Sequence, residues 1–432
     1  MKYHNPIITG FHPDPSVCRV GNDFYLVNSS FEYFPGIPIY HSTDLTHWEQ
    51  IGHVLDRKNQ LKLVSGAPNC LGIYAPTIRY HEGIFYCIVT NVGGRSGGNF
   101  FVYTTDPYGR WSNPVKLPFA GIDPSLFFDE DGRIYYTGTD TGIYIAEITF
   151  DVVRNDTPKR NELPVSIQNV KCGEKHYIWN GSGGNNPEGP HLYRIHDMYY
   201  LMIAEGGTEY CHMVTIARSK NVYGPYEACP HNPVLSNRST CLNIKATGHA
   251  DLVEDSQGSW WAVCLGIRPL GYPFRHNLGR ETMLAPVKWE NGWPVMGDNG
   301  TVTETFEVET APGKKTRKSD FYIPGSNMTD TFCSNKLHPS WNTIYTPVSK
   351  FVKPTKQGLS LCAYDTTLSD DKPKAILVRR QEHFHFKATA TLTLESVNAG
   401  SEAGITIYMN NRHHYEAALS ITSSSISGFN EQ

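Results

Sequence analysis

The chain has 432 residues, of which 39% are hydrophobic and 12% aromatic, and it contains 38 glycines and 28 prolines. This length exceeds that of one ordinary domain, and the many turn-forming and aromatic residues favour an all-β protein over a helical bundle. The net charge is only −4, without a long run of one sign, so neither a nucleic-acid partner nor an anionic membrane is indicated. This composition is compatible with an oligomer.

The N-terminal segment MKYHNPIITGFHPDP lacks the apolar core of a signal peptide, and no apolar stretch approaches membrane-spanning length. The sequence therefore predicts a cytoplasmic protein, with secretion expected only if a signal had been removed. The ten cysteines lie far apart, without CxxC pairs or metal-finger spacing. We interpret most of them as small buried hydrophobic residues.

A hairpin pattern recurs five times along the N-terminal part of the chain. Each copy has a short apolar run, a polar or glycine-containing turn and a second run with paired aromatic residues, which is the sequence form of a β-hairpin. The copies are HPDPSVCRVGNDFYLV, APTIRYHEGIFYCIVT, GIDPSLFFDEDGRIYYTGTD, EGPHLYRIHDMYYLMIA and HADLVEDSQGSWWAVCL. Their second aromatic residues, from Tyr25 to Trp261, are spaced 50 to 64 residues apart. Repetition of this length predicts a five-bladed β-propeller whose innermost strands line a central channel.

The residues that head the five predicted inner strands are Asp14, Ala75, Asp123, Glu188 and His249. Asp before Pro and Ser is ordinary turn chemistry, so each acid taken alone also has a structural explanation. Three acids at equivalent positions would repel one another in one channel unless a proton or a ligand relieved the repulsion, which is typical of a functional site. We therefore expect three carboxyl groups and an imidazole to converge at one end of the channel.

The composition changes after the fifth copy of the hairpin. Residues 1–310 are predicted to form the propeller, and residues 311–330, with a Pro-Gly-Lys-Lys run and a Ser-Asp cluster, to form a linker. Residues 331–432 are predicted to form a β-sandwich accessory domain, because the segments AILVRRQEHF, FKATATLTLES and AGITIYMNN have the character of sandwich strands.

The motifs HPDPS, GIDPSLFFD and PEGPHLY, with APTIRYH, IAEGGTEY, GHADLVED and GRET, resemble glycoside hydrolase family 43, in particular its two-domain β-xylosidase and α-L-arabinofuranosidase members. The resemblance covers residues 5–308 well and the remainder more loosely. It implies a five-bladed propeller followed by a lectin-like β-sandwich, of which residues 331–432 supply only a part.

The resemblance also implies three catalytic roles: Asp14 as general base, Glu188 as general acid, and Asp123 as a third acid that raises the pKa of the general acid and orients it. An inverting glycosidase needs one carboxylate that activates water and one protonated carboxyl that protonates the leaving oxygen, about 6.5 to 9.5 Å apart. Acids on different blades facing one channel can satisfy that separation.

The remaining site residues are assigned by the same resemblance. Arg280 of GRET is expected to bind sugar hydroxyls, and the terminal-sugar pocket is expected to be formed by Phe31, Tyr74, Ile122 and Thr208. His249 is expected to contact the site, or a calcium ion through water, although no cofactor is required for the chemistry. The alternatives are that Phe31 and Tyr74 are packing residues and that Arg280 forms a structural ion pair with Glu281 or another acid.

The function predicted is that of an exo-acting inverting glycosidase releasing xylose from the non-reducing end of β-1,4-xylo-oligosaccharides. The alternative is an α-L-arabinofuranosidase acting on arabinoxylan side chains, or an enzyme with both activities. A non-catalytic sugar-binding propeller is disfavoured because all three acids are present. A retaining fructosidase-type propeller would carry a W-x-N-D-P-N-G motif where this chain has FHPDPS.

Overall fold

The computed structural model describes residues 2–64, 69–93, 97–159, 162–307, 321–334, 336–395, 398–421 and 426–431. In its N-terminal part the strands are β1 (Lys2–His4), β2 (Ser16–Val20), β3 (Asp23–Val27), β4 (Tyr33–Phe34), β5 (Gly36–Ser42), β6 (Glu49–Leu55), β7 (Gly72–His81), β8 (Ile84–Val92), β9 (Gly98–Thr104), β10 (Val115–Lys116), β11 (Ile122–Phe128), β12 (Ile134–Thr139), β13 (Ile143–Arg154), β14 (Val165–Cys172) and β15 (His176–Tyr177).

The chain continues with β16 (Glu188–Ile195), β17 (Met198–Glu205), β18 (Met213–Ser219), β19 (Glu227–Ala228), β20 (Lys245–Glu254), β21 (Trp260–Ile267), β22 (Glu281–Glu290), β23 (Trp293–Met296) and β24 (Thr305–Glu307). The C-terminal part contributes β25 (Thr343–Ile344), a 3-10 turn (Val348–Lys350), β26 (Val352–Thr355), β27 (Gly358–Leu361), β28 (Glu402–Asn410), β29 (His413–Ile421) and β30 (Ile426–Glu431). None of the helical segments in the described ranges is long and apolar enough to cross a bilayer.

Five antiparallel sheets follow one another along the chain. Their strand orders are β2-β3-β5-β6, β7-β8-β9-β10, β11-β12-β13-β14 with β15 on β13, β16-β17-β18-β19, and β20-β21-β22-β23. In each sheet the first strand is the innermost, and the inner strands of successive blades contact one another around the ring. The five-bladed propeller predicted from the hairpin repeat is confirmed.

The paired aromatic residues of the repeat fill the spaces between the blades. Successive side chains of a strand point to opposite faces of the sheet, so each pair places one ring on either side of its blade. Tyr135 packs in the cluster between the third and fourth blades, whereas Tyr136 packs between the second and third. Tyr199 and Tyr200 divide in the same way between the two neighbours of the fourth blade. One apolar cluster lies between each pair of adjacent blades, and together the five clusters form the core of the propeller.

The N-terminal residues close the ring against the fifth blade. Strand β1 pairs with β24, and Ile8 forms an isolated bridge with Thr282 of β22. The buried Asn5 side chain accepts a hydrogen bond from the backbone N–H of Leu284 at 2.8 Å and donates one to its carbonyl oxygen at 2.9 Å. The closure therefore places the segment before Asp14 beside the strand that follows Arg280.

The C-terminal part packs against the first blade. Residues 311–320 of the predicted linker lie outside the described residues. Within the rest of the linker, the backbone carbonyl oxygen of the buried Tyr322 accepts a hydrogen bond from the backbone N–H of Gln50 at 2.7 Å. Strand β25 pairs with β4, and the Asn69 side chain donates a hydrogen bond to Asn411 at 2.7 Å. The C-terminal part therefore contacts the side of the propeller that carries Phe31 and Tyr74.

Only one of the three predicted sandwich strands is a strand of this structure. AGITIYMNN corresponds to β28, which pairs with β29 and then β30. The described residues of the other two segments, 375–384 and 386–395, form only the isolated bridge between Val378 and Asn342. An alternating sequence becomes a strand only where a neighbouring strand satisfies its backbone groups, and the described residues offer these segments no such neighbour.

A buried polar network joins the inner strands beneath the heads of β2 and β20. The fully buried Asp251 carboxylate accepts hydrogen bonds from Arg79 at 2.8 and 3.1 Å, from Ser16 Oγ at 2.6 Å and from Tyr193 Oη at 2.6 Å. Arg79 also donates to His191 Nδ1 at 3.0 Å. The network therefore connects residues of four blades through one carboxylate.

We expect Asp251→Asn to lower the free energy of unfolding by about 3 to 5 kcal/mol, because it leaves the Arg79 charge buried without its counter-ion. Urea unfolding followed by tryptophan fluorescence measures this change. The matched control is Asp131→Asn, which removes the partner of Arg133 from an ion pair at the surface and should leave the unfolding midpoint unchanged. Equal effects of the two substitutions would contradict the importance assigned to the buried ion pair between Arg79 and Asp251.

Candidate active site

The same backbone conformation begins each inner strand. Asp14, Ala75, Asp123, Gly189 and His249 all have positive φ, between 29° and 60°. This region is uncommon for residues other than glycine, and such residues cluster at functional sites. The register between the first and second strands shifts at this point in the second to fifth blades. The repeat thus turns the chain sharply at one end of the channel and directs the following residues along its wall.

Glu188 is not at the position equivalent to Asp14 and Asp123, which corrects the alignment made from the sequence. The equivalent residue of the fourth blade is Gly189, so Glu188 matches Tyr74 and Ile122, one residue earlier. Asp14, Asp123 and His249 are buried, whereas Tyr74, Ile122 and Glu188 are half-buried. The site therefore has an inner layer and a rim layer, contributed by two successive positions of the inner strands.

Asp14 is held between a hydroxyl group and a guanidinium group. Its Oδ2 accepts a hydrogen bond from Ser29 Oγ at 2.6 Å, and its Oδ1 accepts one from Arg280 Nη1 at 2.9 Å. Burial alone would raise the pKa of Asp14, but the Arg280 charge, together with the neighbouring His249 ring and the Ser29 hydrogen bond, outweighs burial and lowers it. Asp14 is therefore ionised at neutral pH and oriented by both partners.

Asp123 and Glu188 have the opposite electrostatic character. Burial, followed by the negative charge of Asp14, raises the pKa of Glu188 to about 7. Burial and the charge of Glu188 also raise the pKa of Asp123 well above its usual range, although its Oδ2 accepts a hydrogen bond from the Gly189 N–H at 3.1 Å. The two carboxyls therefore interact, and the role of Asp123 in raising the pKa of Glu188 stays a prediction. Two interacting carboxyls of this kind titrate as a pair, and the pair retains a proton to a higher pH than an ordinary carboxyl group does.

Glu188 follows the loop that precedes β16, and Glu205 holds this loop in place. Glu205 is not among the site residues predicted from the sequence. The fully buried Glu205 of β17 accepts hydrogen bonds from the backbone N–H groups of Ser182 at 2.8 Å and Gly184 at 2.6 Å. A Cβ atom on Gly181 would lie 2.5 Å from the same carboxylate, so only glycine fits there. The position of Glu188 thus depends on Glu205.

Arg280 lies among the acids and aromatic rings rather than beside Glu281. Its guanidinium lies 5.5 Å from the ring centroid of Phe31, while Glu281 is engaged by Arg268 at 2.7 Å. Phe31 also contacts Tyr74, with ring centroids 5.3 Å apart. Arg280 therefore forms its ion pair with Asp14 and not with Glu281, and the two aromatic residues adjoin the acid cluster.

Thr208 occupies a different part of the site from the aromatic pair. It is exposed and lines a cleft of about 130 Å³ that also includes Arg280. Ile122, at the head of β11, is half-buried and pairs with Thr139 of β12. The structure therefore places all nine predicted site residues at one end of the propeller, on the inner-strand heads and the loops around them.

His249 is a neutral member of the cluster. Burial is the main cause of its lowered pKa, which the nearby Arg280 charge lowers further. Its Nδ1 lies 4.0 Å from Asp14 Oδ1, and its ring covers Gly189. The buried His212 lies beside it, and its Nε2 has no hydrogen-bond partner among the described residues. His212 has no distinctive sequence signal, because it lies outside the repeated strand heads.

Asp123, Glu188 and His249 could together offer three ligand atoms, all within 4.8 Å of one another. Calcium takes about six to eight oxygen ligands, and this set includes a nitrogen. A cation bound there would also compete with the proton that the raised pKa of Glu188 retains. The three residues therefore fit acid chemistry better than a resident calcium ion, and a water-mediated contact of His249 with calcium stays a prediction.

The site combines the ionised carboxylate of Asp14 with the carboxyl groups of Glu188 and Asp123, whose pKa values are raised. This combination at one end of a five-bladed propeller is typical of a glycosidase. The chain belongs to glycoside hydrolase family 43. The model of glycosyl hydrolases family 43 matches residues 3–294, and the model of the β-xylosidase C-terminal concanavalin A-like domain matches residues 329–427. The protein is thus an inverting glycosidase with a C-terminal β-sandwich domain, and family 43 enzymes generally need no cofactor.

The names of similar proteins agree with this assignment. The chain is 42% identical to a non-reducing end α-L-arabinofuranosidase of Bacteroides ovatus, with 96% of this chain and 75% of that protein covered. It is 40% identical to a xylosidase/arabinosidase of Butyrivibrio fibrisolvens, with 96% and 79% covered. The crystal structure of a family 43 protein from Bacillus licheniformis superposes with a TM-score of 0.82 at 34% identity, covering 99% of this chain and 80% of that one.

We expect Glu188→Gln to stabilise the protein at pH 7.5 and to have little effect at pH 4.5. A carboxyl whose pKa is raised on folding binds more protons in the folded state, so the parent loses stability as the pH rises from about 4.5 to about 7. The neutral amide does not incur this loss. Thermal unfolding of both proteins across this range measures the difference.

The control for this experiment is Glu174→Gln, because Glu174 is an exposed glutamate that is not one of the residues of the acid cluster. It should leave the pH dependence of the parent unchanged. A stability difference between parent and Glu188→Gln that stays constant from pH 4.5 to 7.5 would show that Glu188 does not carry the raised pKa.

Proposed function

We propose that the protein is an exo-acting β-xylosidase that hydrolyses xylo-oligosaccharides with inversion, using Asp14 as general base and Glu188 as general acid. The observation that carries the proposal is the opposite direction in which the site shifts the pKa values of these two carboxyls. Two titratable groups driven apart by their surroundings are the usual basis for acid and base roles in one site.

The proposed mechanism begins with the terminal sugar between the two layers of the site. Asp14, held ionised by Arg280 and Ser29, removes a proton from a water molecule that attacks the anomeric carbon. Glu188 donates its proton to the oxygen of the leaving sugar as the glycosidic bond breaks. Water and the sugar oxygen thus exchange places at the anomeric carbon, whose configuration is inverted.

Asp123 and His249 have supporting roles in this proposal. Asp123 shares a proton with Glu188 and accepts the hydrogen bond from Gly189, the residue that follows Glu188, so it fixes both the charge and the direction of the acid. His249, neutral and packed on Gly189, limits the movement of the same strand head. Arg280, Phe31, Tyr74, Ile122 and Thr208 are proposed to bind the sugar, and the reaction is proposed to use no metal.

A second activity, α-L-arabinofuranosidase, is favoured by a specific observation. The relative that is 42% identical is named an α-L-arabinofuranosidase, and the relative that is 40% identical is named for both activities. A terminal arabinofuranose and a terminal xylopyranose present similar hydroxyl groups to one pocket. We therefore propose that the enzyme also removes terminal arabinofuranose.

Asp14→Ala and Glu188→Ala should each reduce kcat about 10²- to 10⁴-fold on xylobiose, because each removes a proton-transfer group. On a 4-nitrophenyl xyloside, whose leaving group needs little protonation, Glu188→Ala should recover much of the activity and Asp14→Ala should not. Steady-state kinetics on both substrates measure the split. Equal losses of Glu188→Ala on the two substrates would remove Glu188 from the acid role.

The overall proposal is tested by incubating the enzyme with 4-nitrophenyl β-xylopyranoside and 4-nitrophenyl α-L-arabinofuranoside side by side. Proton NMR should detect α-xylose as the first anomer released from the xyloside, because the reaction inverts the configuration. Xylobiose should yield xylose, and polymeric xylan should lose little viscosity. A rapid fall in xylan viscosity would indicate internal cleavage and contradict exo action.

A further inference from the structure

Three aromatic side chains stand exposed where the fourth and fifth blades meet the site. Tyr272 is 90% exposed, Phe274 38% and Tyr210 38%. Tyr272 and Phe274 lie in the loop between β21 and β22, and Tyr210 lies in the loop between β17 and β18. Large rings exposed together on a soluble protein commonly mark a ligand-binding surface. The proposed mechanism, which concerns the terminal sugar, does not use them.

The three rings, which we call the aromatic platform, are held by specific contacts. Tyr210 Oη donates a hydrogen bond to the carbonyl oxygen of Phe274 at 2.6 Å, and the two ring centroids lie 5.1 Å apart. The Tyr272 ring meets Phe274 edge to face, with centroids 5.9 Å apart and an interplanar angle of 81°. The loop is closed by a backbone hydrogen bond from Leu270 to Arg275 at 2.6 Å.

A cation also fixes the platform from the side of the propeller. Lys245 Nζ lies 5.4 Å from the ring centroid of Phe274 and donates a hydrogen bond to the Thr240 carbonyl oxygen at 2.7 Å. Phe274 is thus held by Tyr210 on one side and by Lys245 on the other, and the Tyr272 ring that packs against it is exposed to solvent. A surface preorganised in this way binds a ligand with a smaller loss of conformational entropy.

The platform is continuous with the acid cluster. Tyr210 lines the cleft of about 130 Å³, together with Thr208, Glu209, Ala246, Ile267, His276 and Arg280. Arg280 is thus a wall of this cleft and, at the same time, the hydrogen-bond donor to Asp14. The cleft therefore adjoins Asp14 through Arg280, and it adjoins Phe274 and Tyr272 through Tyr210.

We propose that the aromatic platform is a binding subsite for the sugar rings on the leaving side of the bond that is cut. The inference rests on the proposed function. The occupant is a neutral oligosaccharide, because the apolar C–H face of a pyranose ring packs on an aromatic face while its hydroxyls remain hydrated or meet polar groups. Glu209 and His276 offer such groups in the adjoining cleft. The platform thereby favours oligosaccharides over disaccharides.

The test compares substrates that reach the platform with one that does not. In Tyr272→Ala, kcat/KM for xylotriose and xylotetraose should fall about 5- to 10-fold, mainly through a higher KM, because the chemical groups are untouched. For β-xylosyl fluoride, whose leaving group is a single atom, kcat/KM should stay within about twofold of the parent. Tyr272→Trp should restore the parent values on the longer substrates. Equal losses on xylotriose and the fluoride, or no loss on either, would overturn the proposal.

Two controls separate this result from changes in folding and from failure of the proposed function. Tyr415→Ala removes a 75% exposed tyrosine of β29 and should change kcat/KM neither for the oligosaccharides nor for β-xylosyl fluoride. Binding of xylotriose to Asp14→Asn, measured by calorimetry with and without Tyr272→Ala, needs no turnover. Weaker binding of xylotriose to the double variant Asp14→Asn/Tyr272→Ala than to Asp14→Asn supports the subsite. Failure of the parent enzyme to hydrolyse either glycoside would overturn the proposed function but would leave this binding result, and the subsite, standing. Equal binding in the two proteins would overturn the subsite.

Discussion

The Asp251 carboxylate is the group on which the centre of the propeller depends. It is fully buried and receives donors from Ser16 of the first blade, Arg79 of the second and Tyr193 of the fourth. A buried charge is tolerated only when its lone pairs are satisfied by well-placed donors, and this carboxylate is surrounded by them. His191 extends the network to Ser125 of the third blade at 3.2 Å. The five inner strands therefore meet in one defined arrangement.

This arrangement matters because the acid cluster lies directly above it. Asp251 follows His249 by two residues, and Ser16 follows Asp14 by two residues, so the same strands carry the network and the site. Three carboxyls gathered in one pocket repel one another, and without a rigid support the strand heads would move apart. The hydrogen bonds of the network fix the backbone just beyond the residues with positive φ at the strand heads. The carboxyl groups are thereby kept close enough to shift one another's pKa values.

Arg280 decides how the charge is distributed among these carboxyls. It donates to Asp14 and contacts neither Asp123 nor Glu188 by hydrogen bond or ion pair among the described residues, so one acid is stabilised in its ionised form. Burial then acts on Glu188 and Asp123 with less opposition and raises the pKa of each. Because Arg280 also borders the cleft towards the aromatic platform, one side chain connects the charge state of the pocket with the path of the substrate.

The sequence by itself determined the blades, because their stability is encoded locally. Each hairpin carries its own turn residues, and each aromatic pair, such as Tyr135 and Tyr136, supplies a ring to both faces of its sheet. The same repetition located Asp14, Asp123 and His249, since equivalent strand heads must meet around the axis of a propeller.

Only the tertiary structure decided what depends on contacts between distant segments. The repeat could not tell Glu188 from Gly189 as the equivalent position, because that distinction lies in the backbone angle. Pairing of Arg280 with Asp14 instead of Glu281, and the support of the loop before Glu188 by Glu205, join residues far apart in the chain. The described residues 375–384 and 386–395, which were predicted to be strands, do not form strands, because no neighbouring strand pairs with them. A strand or a shifted pKa is a property of the neighbours a residue acquires on folding, and the local sequence does not specify them.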